Sequence, residues 1–334
     1  MRTTIYMRNV LVVVLMILVI KTLYTIVYVR YGPNREVNAH GKITLDVLDL
    51  QLPTTGDFKC VELKVTSTIS APICVYEVEE DKYVSGALSN GGIWQKDNID
   101  VFRLLANEDP ELNLIDLGAN LGTWTIIAAA LGKQVIAVEP FPPTISRLHR
   151  SLQLGHLESR VTLVTNPLSD KYEDVVFKVY PSNKGGVAIA AKNSSGDLLD
   201  HSTVKKTTTL NDLASIIPGG FNKAFMKMDI EGMELKALNA SDVLFSVVDI
   251  PVILTEWMAY RKRLDKPEVR YFEVWFTNAG YVPCYIETSR SSVAQLEYHL
   301  LGSIKSDVKW KEISDVFLIK KNVLEEFKGR GRLV

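Results

Sequence analysis

The stretch from Asn113 to Trp124, Asn-Leu-Ile-Asp-Leu-Gly-Ala-Asn-Leu-Gly-Thr-Trp, leaves few folds open to this chain. Its first half reads as a buried strand ending at Gly118. Ala119 to Gly122 read as a tight turn, and the Ala-, Ile- and Leu-rich run to Leu131 as the start of a helix. Strand, glycine turn and helix in that order open a parallel βαβ unit. Such a turn lets a ligand reach the backbone where a side chain would block it. The helix beyond it offers free N–H groups at its N-terminus. A second strand, Gln134 to Val138, ends in Glu139, an acid placed to accept both hydroxyls of a ribose.

The dinucleotide fingerprint requires glycine two residues after the first glycine. Asn120 stands there, which argues against a pyrophosphate cradle. Asp116, two residues before Gly118, suits a cationic ligand such as the ammonium of a methionine moiety. Asp116, Gly118, Gly122 and Glu139 together resemble the S-adenosylmethionine site of class I methyltransferases. The wording Ile-Asp-Leu-Gly-Ala-Asn-Leu-Gly resembles the FkbM family of methyltransferases more closely still.

A second stretch carries charge into a strand: Phe225-Met-Lys-Met-Asp-Ile-Glu-Gly-Met-Glu234. Alternation puts Lys227 and Asp229 on one face. Charges inside a central strand are costly to bury unless paired or functional. Asp229 and Glu231 fall at the strand's carboxyl end, where open α/β sheets bind ligands. Glu256, at the end of the next strand, Val252 to Thr255, adds a third acid. Lys-x-Asp-x-Glu-Gly-x-Glu, from Lys227 to Glu234, resembles the FkbM signature, and the resemblance covers about residues 90 to 290.

That resemblance implies an α/β fold, a class I methyltransferase Rossmann-like doubly wound sheet of about seven strands. Tyr281 to Glu287 and Asp315 to Lys321 would form its terminal antiparallel pair. It implies S-adenosylmethionine as cofactor, bound by Asp116, Gly118, Asn120, Gly122 and Glu139. Ser169 and Asp170, in a Leu-Ser-Asp sequence after the third strand, would line the adenine. It implies methyl transfer to oxygen, with Asp229, Glu231 and Glu256 as candidate catalytic acids. Three carboxylates at one mouth permit a divalent metal, but nothing in the sequence demands one. Gln95 stands where the family's Ile-Trp-Glu segment has its acid.

Ahead of this region lies a different kind of sequence. Val10 to Val29 is almost wholly apolar, with Lys21 its single charge. About twenty such residues span a bilayer, and a lysine stem can snorkel. No small-residue cleavage site follows, so an uncleaved signal-anchor is expected rather than a signal peptide. The expected organisation is a short tail over residues 1–9, the anchor over 10–29 and a stem over 30–57. A methyltransferase domain over 58–326 and a basic tail over 327–334 complete it. The sequons at Asn193 and Asn239 favour a luminal domain in the Golgi or endoplasmic reticulum, where glycan hydroxyls are the most available acceptors. The alternatives are a lipid or small hydroxylated acceptor, or a non-catalytic binding module. Cys60, Cys74 and Cys284 allow one bridge, Cys60 with Cys74, or three buried thiols. A net charge of −1 gives no electrostatic case for nucleic acid. Val175 to Tyr180 and Lys206 to Leu210 read as added strands, and Pro181 to Ser202 as an exposed polar loop between them that can border the acceptor.

Overall fold

Eight strands form one mixed sheet around the glycine turn. The computed structural model describes residues 45–54, 56–288 and 296–329, all within one compact unit, Thr44–Val334. In chain order the strands are β1 (Cys60–Lys64), β2 (Ser70–Cys74), β3 (Leu112–Leu117), β4 (Val135–Val138), β5 (Val161–Val164), β6 (Asp174–Tyr180), β7 (Asn183–Ala191), β8 (Leu199–Lys206), β9 (Lys223–Met228), β10 (Asp249–Glu256), β11 (Tyr281–Thr288), β12 (Leu296–Leu300) and β13 (Asp315–Lys320). The large sheet runs β12-β11-β13-β10-β9-β3-β4-β5. Its five strands from β10 to β5 are parallel. Strand β13 is antiparallel to both β10 and β11, which gives the expected terminal pair. Strand β12 extends the expected seven by one edge strand.

Alternation along the central strands builds two cores. Leu114, Phe225, Val252 and Leu254 face one side of the sheet; Ile115, Leu117, Met226, Met228 and Ile253 face the other. Near-continuous apolar strands are what a sheet covered on both faces requires. The covering helices include α1 (Val84–Ser89), α2 (Lys96–Glu108), α3 (Thr123–Ala130) and α4 (Pro142–Leu154). Helix α2 buries Ile99, Phe102, Leu105 and Ala106, the helical spacing that the sequence shows.

Register puts the chemistry at one edge. Leu117 pairs with Val138 and with Met228, Met228 with Thr255, and Glu256 with Asp315. The residues just past those pairs, Gly118, Glu139 and Asp229, therefore stand in a row with Glu256 and Asp315.

Three expectations need correction. Residues 45–54, assigned to the stem, dock on the domain. Leu48 donates its backbone N–H to Leu163 O at 2.9 Å, Thr165 donates to Asp46 O at 2.8 Å, and Leu50 is buried in the core. The exposed loop expected over Pro181 to Ser202 instead holds β7 and the start of β8, half-buried in a small sheet ordered β7-β6-β8. Neither face of β7 is deeply buried, so its sequence lacks the alternation that marks a strand. The strand expected over Lys206 to Leu210 lies earlier, as β8 over Leu199–Lys206. Thr209 and Asp212 form a capping box, opening the helical turn Leu210–Leu213.

Strands β1 and β2 pair antiparallel, with Cys60 opposite Cys74 and the two joined as a disulfide. Cys284 is a buried free thiol. The expected membrane segment at residues 10–29 lies outside the described residues. Among the described residues no helix is long and apolar enough to cross a membrane.

Candidate active site

The glycine turn is shaped by backbone contact before any ligand is considered. Gly118 has φ +80°, and a Cβ there would stand 1.8 Å from the Asp229 carbonyl oxygen. Asp229 N–H also donates to Leu117 O at 3.0 Å. The ends of β3 and β9 thus touch main chain to main chain, which only glycine permits. Gly122, at φ +92°, precedes α3, and a Cβ there would meet the Leu148 side chain at 2.3 Å. It serves helix packing and does not border the cleft.

Beneath the turn lies a buried ion network. Lys227 Nζ donates to Gly118 O at 2.6 Å and stands 3.5 Å from Asp116 Oδ1 and 3.7 Å from Asp229 Oδ2. Burial works to lower the lysine pKa, but the charges of Asp229, Asp116 and Glu139 prevail and hold it above its ordinary value. Asp116 is fully buried and its Oδ2 accepts the Thr125 hydroxyl at 2.7 Å. It does not border the cleft. Its charge is matched from within, by a lysine on the neighbouring strand.

At the β4 side, Glu139 borders the cleft. Its two oxygens accept the backbone N–H groups of Asn120 and Phe141, each at 2.9 Å. Burial pushes its carboxyl up to about 7 against those hydrogen bonds. Asn120, at φ +52°, borders the cleft as well and donates Nδ2–H to Gly185 O at 3.0 Å, tying β7 over the glycine turn. Ser169 and Asp170 do not border the cleft; Pro167 and Leu168 do. The Ser169 hydroxyl instead turns to Asp170 and Glu173, both at 3.3 Å. The chain has already turned away from the sheet edge when it reaches them.

At the other side four carboxylates ring the mouth: Asp229, Glu231, Glu256 and Asp315. Asp229 Oδ2 accepts Gln95 Nε2–H at 3.1 Å, while Gln95 Oε1 accepts the Trp124 indole N–H at 3.0 Å. Gln95 therefore belongs to the site through its amide, which donates where a glutamate could not. Glu231, at φ +55°, stands open at the mouth. Its carboxyl is pushed up to about 7 by desolvation and then by Asp229 and Glu234. Glu256 rises to about 9, through burial and the charges of Asp229 and Glu231. Asp315 rises to about 6, for burial and Asp229, and a hydrogen bond from Asn98 opposes the rise. Sequence reading missed Asp315 because it followed the ends of the parallel strands, whereas β13 runs backward and presents its first residue at the same edge. Glu234 is fully buried and does not border the cleft. It accepts the Ile230 and Gly232 N–H groups and the Tyr260 hydroxyl, and so braces the turn that carries Glu231.

The cleft has a volume of about 680 Å³, room for a cofactor and a small acceptor. Three of the non-glycine residues at positive φ among those described, Gln95, Asn120 and Glu231, line it. Backbone strain of this kind concentrates at ligand sites. Among the described residues no group of three His, Cys, Asp or Glu is placed to hold one metal ion.

The family model described as the methyltransferase FkbM domain matches residues 116–283, half of the chain. This chain belongs to the FkbM methyltransferase family. It is a methyltransferase with a Rossmann-like α/β sheet, and S-adenosylmethionine is its cofactor. The glycine turn, the Glu139 carboxylate, Pro167 and Leu168 border one open cleft with room for that cofactor. No curated protein matches the chain by sequence. Among solved structures, precorrin-6y C5,15-methyltransferase of Geobacter metallireducens is 15% identical, with 74% of this chain and 92% of that one covered and a TM-score of 0.33. An O-methyltransferase of Bacillus cereus in complex with S-adenosylhomocysteine is 12% identical, with 67% and 80% covered and a TM-score of 0.35. A SAM-dependent O-methyltransferase of Thermotoga maritima is 11% identical, with 68% and 66% covered and a TM-score of 0.33.

Proposed function

We propose that this FkbM methyltransferase methylates a hydroxyl oxygen of an uncharged acceptor, a glycan in the secretory lumen, with Glu231 as the proton acceptor. One observation carries the reading: Glu231 stands exposed at the mouth, beside the strand ends that carry Asp229 and Glu256. A hydroxyl is a very weak acid, so its proton must leave as the methyl arrives. A base with a pKa near the working pH suits that step best. The bound cofactor supplies a methyl group on a positively charged sulfur. Asp229, fixed by Gln95, orients the acceptor hydroxyl, and Glu231 takes its proton. Glu256, whose carboxyl is pushed up by burial and by Asp229 and Glu231, would donate a hydrogen bond to a neighbouring hydroxyl. With the cofactor bound, the proton of the acceptor hydroxyl would pass to Glu231 as the oxygen takes the methyl group.

Charge supports an uncharged acceptor. The lysines bordering the cleft are engaged: Lys227 with Asp116 and Asp229, Lys184 with Glu80. Among the described residues lining the cleft, a phosphorylated acceptor would meet a ring of carboxyl groups and no spare cation. The rings of Tyr83 and Trp94, 6.4 Å apart and both exposed at the cleft, suit the apolar face of a sugar. The luminal assignment draws on the Cys60–Cys74 disulfide, which persists in oxidising compartments. It also draws on the exposure of Asn193 and Asn239, and on the apolar segment at residues 10–29 as a single membrane anchor.

The test is mass spectrometry of released glycans and lipids from cells with and without the protein. The expected result is a protein-dependent gain of one CH₂ on a neutral glycan. A gain confined to lipids or anionic metabolites contradicts the glycan assignment. No methylated product in any class favours a binding module.

A further inference from the structure

The segment after β10 and the loop before β13 enclose a second cavity of about 630 Å³, which shares no lining residue with the cleft. Arg261, Lys262 and Arg270 line it from one segment, Lys305 and Lys311 from the other. Among the described residues, Asp265 is the only acid on its wall. Two fully buried tryptophans join the segments. Trp257 donates its indole N–H to Trp310 O, and Trp310 donates its own to Gly302 O, both at 3.0 Å. Their rings meet edge to face at 4.9 Å. Arg261 N–H closes a turn on Trp257 O at 3.1 Å, and Lys311 directly follows Trp310. The five cations are therefore gathered by a packed scaffold.

The other acids on these segments are engaged elsewhere. Glu273 accepts Ile304 N–H at 3.0 Å, and Asp307 accepts the N–H groups of Gly302 and Lys309 at 2.8 and 2.9 Å. Glu312 pairs with Lys309 at 3.5 Å. Among the described residues, none of the five cations has a side-chain partner. Lys184, Lys223, Lys227 and Lys320, by contrast, are each paired with an acid. Arg261 is half-buried, so its guanidinium has lost part of its hydration without gaining a partner. Like charges held together also repel. A multiply charged anion would relieve both costs.

We infer that this cavity binds a ligand carrying two or more phosphate groups. A guanidinium presents a planar fork that matches phosphate oxygens in pairs, and lysines add point charges around it. Arg261 and Arg270 supply the forks here; Lys262, Lys305 and Lys311 supply the point charges. Five cations against one acid call for more charge than a single phosphate carries, and the cavity has room for more than one. A free phosphorylated molecule and a phosphoinositide headgroup both present these groups. The site stands apart from the methyl-transfer cleft and does not depend on how that cleft is read.

Calorimetric titration of the full chain with inorganic pyrophosphate tests it. Two variants accompany the parent: Arg261→Gln/Arg270→Gln, and Lys64→Gln/Lys82→Gln, which removes two exposed cations that do not line the cavity. The parent is expected to bind pyrophosphate, and more weakly as salt rises. The arginine variant should lose at least about 10-fold in affinity, while the lysine variant stays within about 2-fold. The ligand-free melting midpoint of the arginine variant should not fall, because crowded like charges are relieved. Flotation with phosphatidylcholine vesicles, with and without phosphatidylinositol 4-phosphate, separates the two sources. Pyrophosphate binding supports a free ligand. Binding that rises only with the phosphoinositide, and is lost in the arginine variant, supports a lipid headgroup at the same site. Equal pyrophosphate affinity in the two variants overturns the inference. So does the absence of both pyrophosphate binding and an arginine-dependent gain on vesicles.

Discussion

Lys227→Met removes the one ammonium that compensates Asp116 and leaves a fully buried carboxylate with only the Thr125 hydroxyl for company. Two unit charges 3.5 Å apart attract by about 5 kcal/mol at an effective dielectric of about 20. The cost of burying both ions offsets much of that while the pair is intact. Removing one partner leaves the other uncompensated, and such changes cost about 3–5 kcal/mol. The lysine also donates to Gly118 O at 2.6 Å, so the glycine turn loses its support from below. We expect a stability loss of about 3–5 kcal/mol in urea unfolding followed by tryptophan fluorescence. The double variant Lys227→Met/Asp116→Asn should recover about 1–3 kcal/mol of it, as residues in one network couple. A loss below about 1 kcal/mol, or strict additivity of the two changes, would refute the view of Lys227 as the counter-ion that makes Asp116 tolerable.

Other expectations follow from the same geometry. Glu139 binds its proton more tightly folded than unfolded, from 4.5 up to about 7. Between those values the native state holds more protons, so stability should fall as pH rises from about 4.5 to 7, by about 3 kcal/mol for Glu139 alone. Glu139→Gln should flatten that slope in pH-dependent urea unfolding, and an unchanged slope would count against a raised pKa. Reducing the Cys60–Cys74 bond, whose partners lie 14 residues apart, should cost about 3 kcal/mol of stability in urea unfolding with and without reductant. Gly118→Ala should disrupt folding before it affects ligand, because its Cβ meets the Asp229 main chain. Near-parent stability with selective loss of cofactor binding would show that the backbone contact can relax.

How much of this was legible depended on whether the signal was local. The strand, glycine turn and helix around Gly118 are neighbours in the chain, so their pattern reads directly. So does the acid at each strand's carboxyl end, and Glu139, Asp229, Glu231 and Glu256 all border the cleft. The ion pair of Asp116 with Lys227 on the neighbouring strand was not legible, because strand register is not written at either position. Ser169 and Asp170 stand just past Pro167 and Leu168, which border the cleft, because the chain leaves the sheet edge there. Strand β7 was hidden because a half-buried strand need not alternate. Asp315 was invisible because it reaches the cleft on a reversed strand, where its partner Glu256 is set by tertiary pairing.

The central claim, proton transfer from an acceptor hydroxyl to Glu231, is met most directly by one comparison. The parent protein and Glu231→Gln are incubated with methyl-labelled S-adenosylmethionine and a neutral glycan pool, and S-adenosylhomocysteine affinity is measured for both. Gln keeps the size and hydrogen bonding of the side chain and removes only its basicity. The account predicts labelled glycan from the parent, turnover lower by roughly 10²-fold in the variant, and affinity held within a few-fold. Equal labelling by the two proteins, at equal affinity, would contradict it and pass the proton to Asp229 or Glu256.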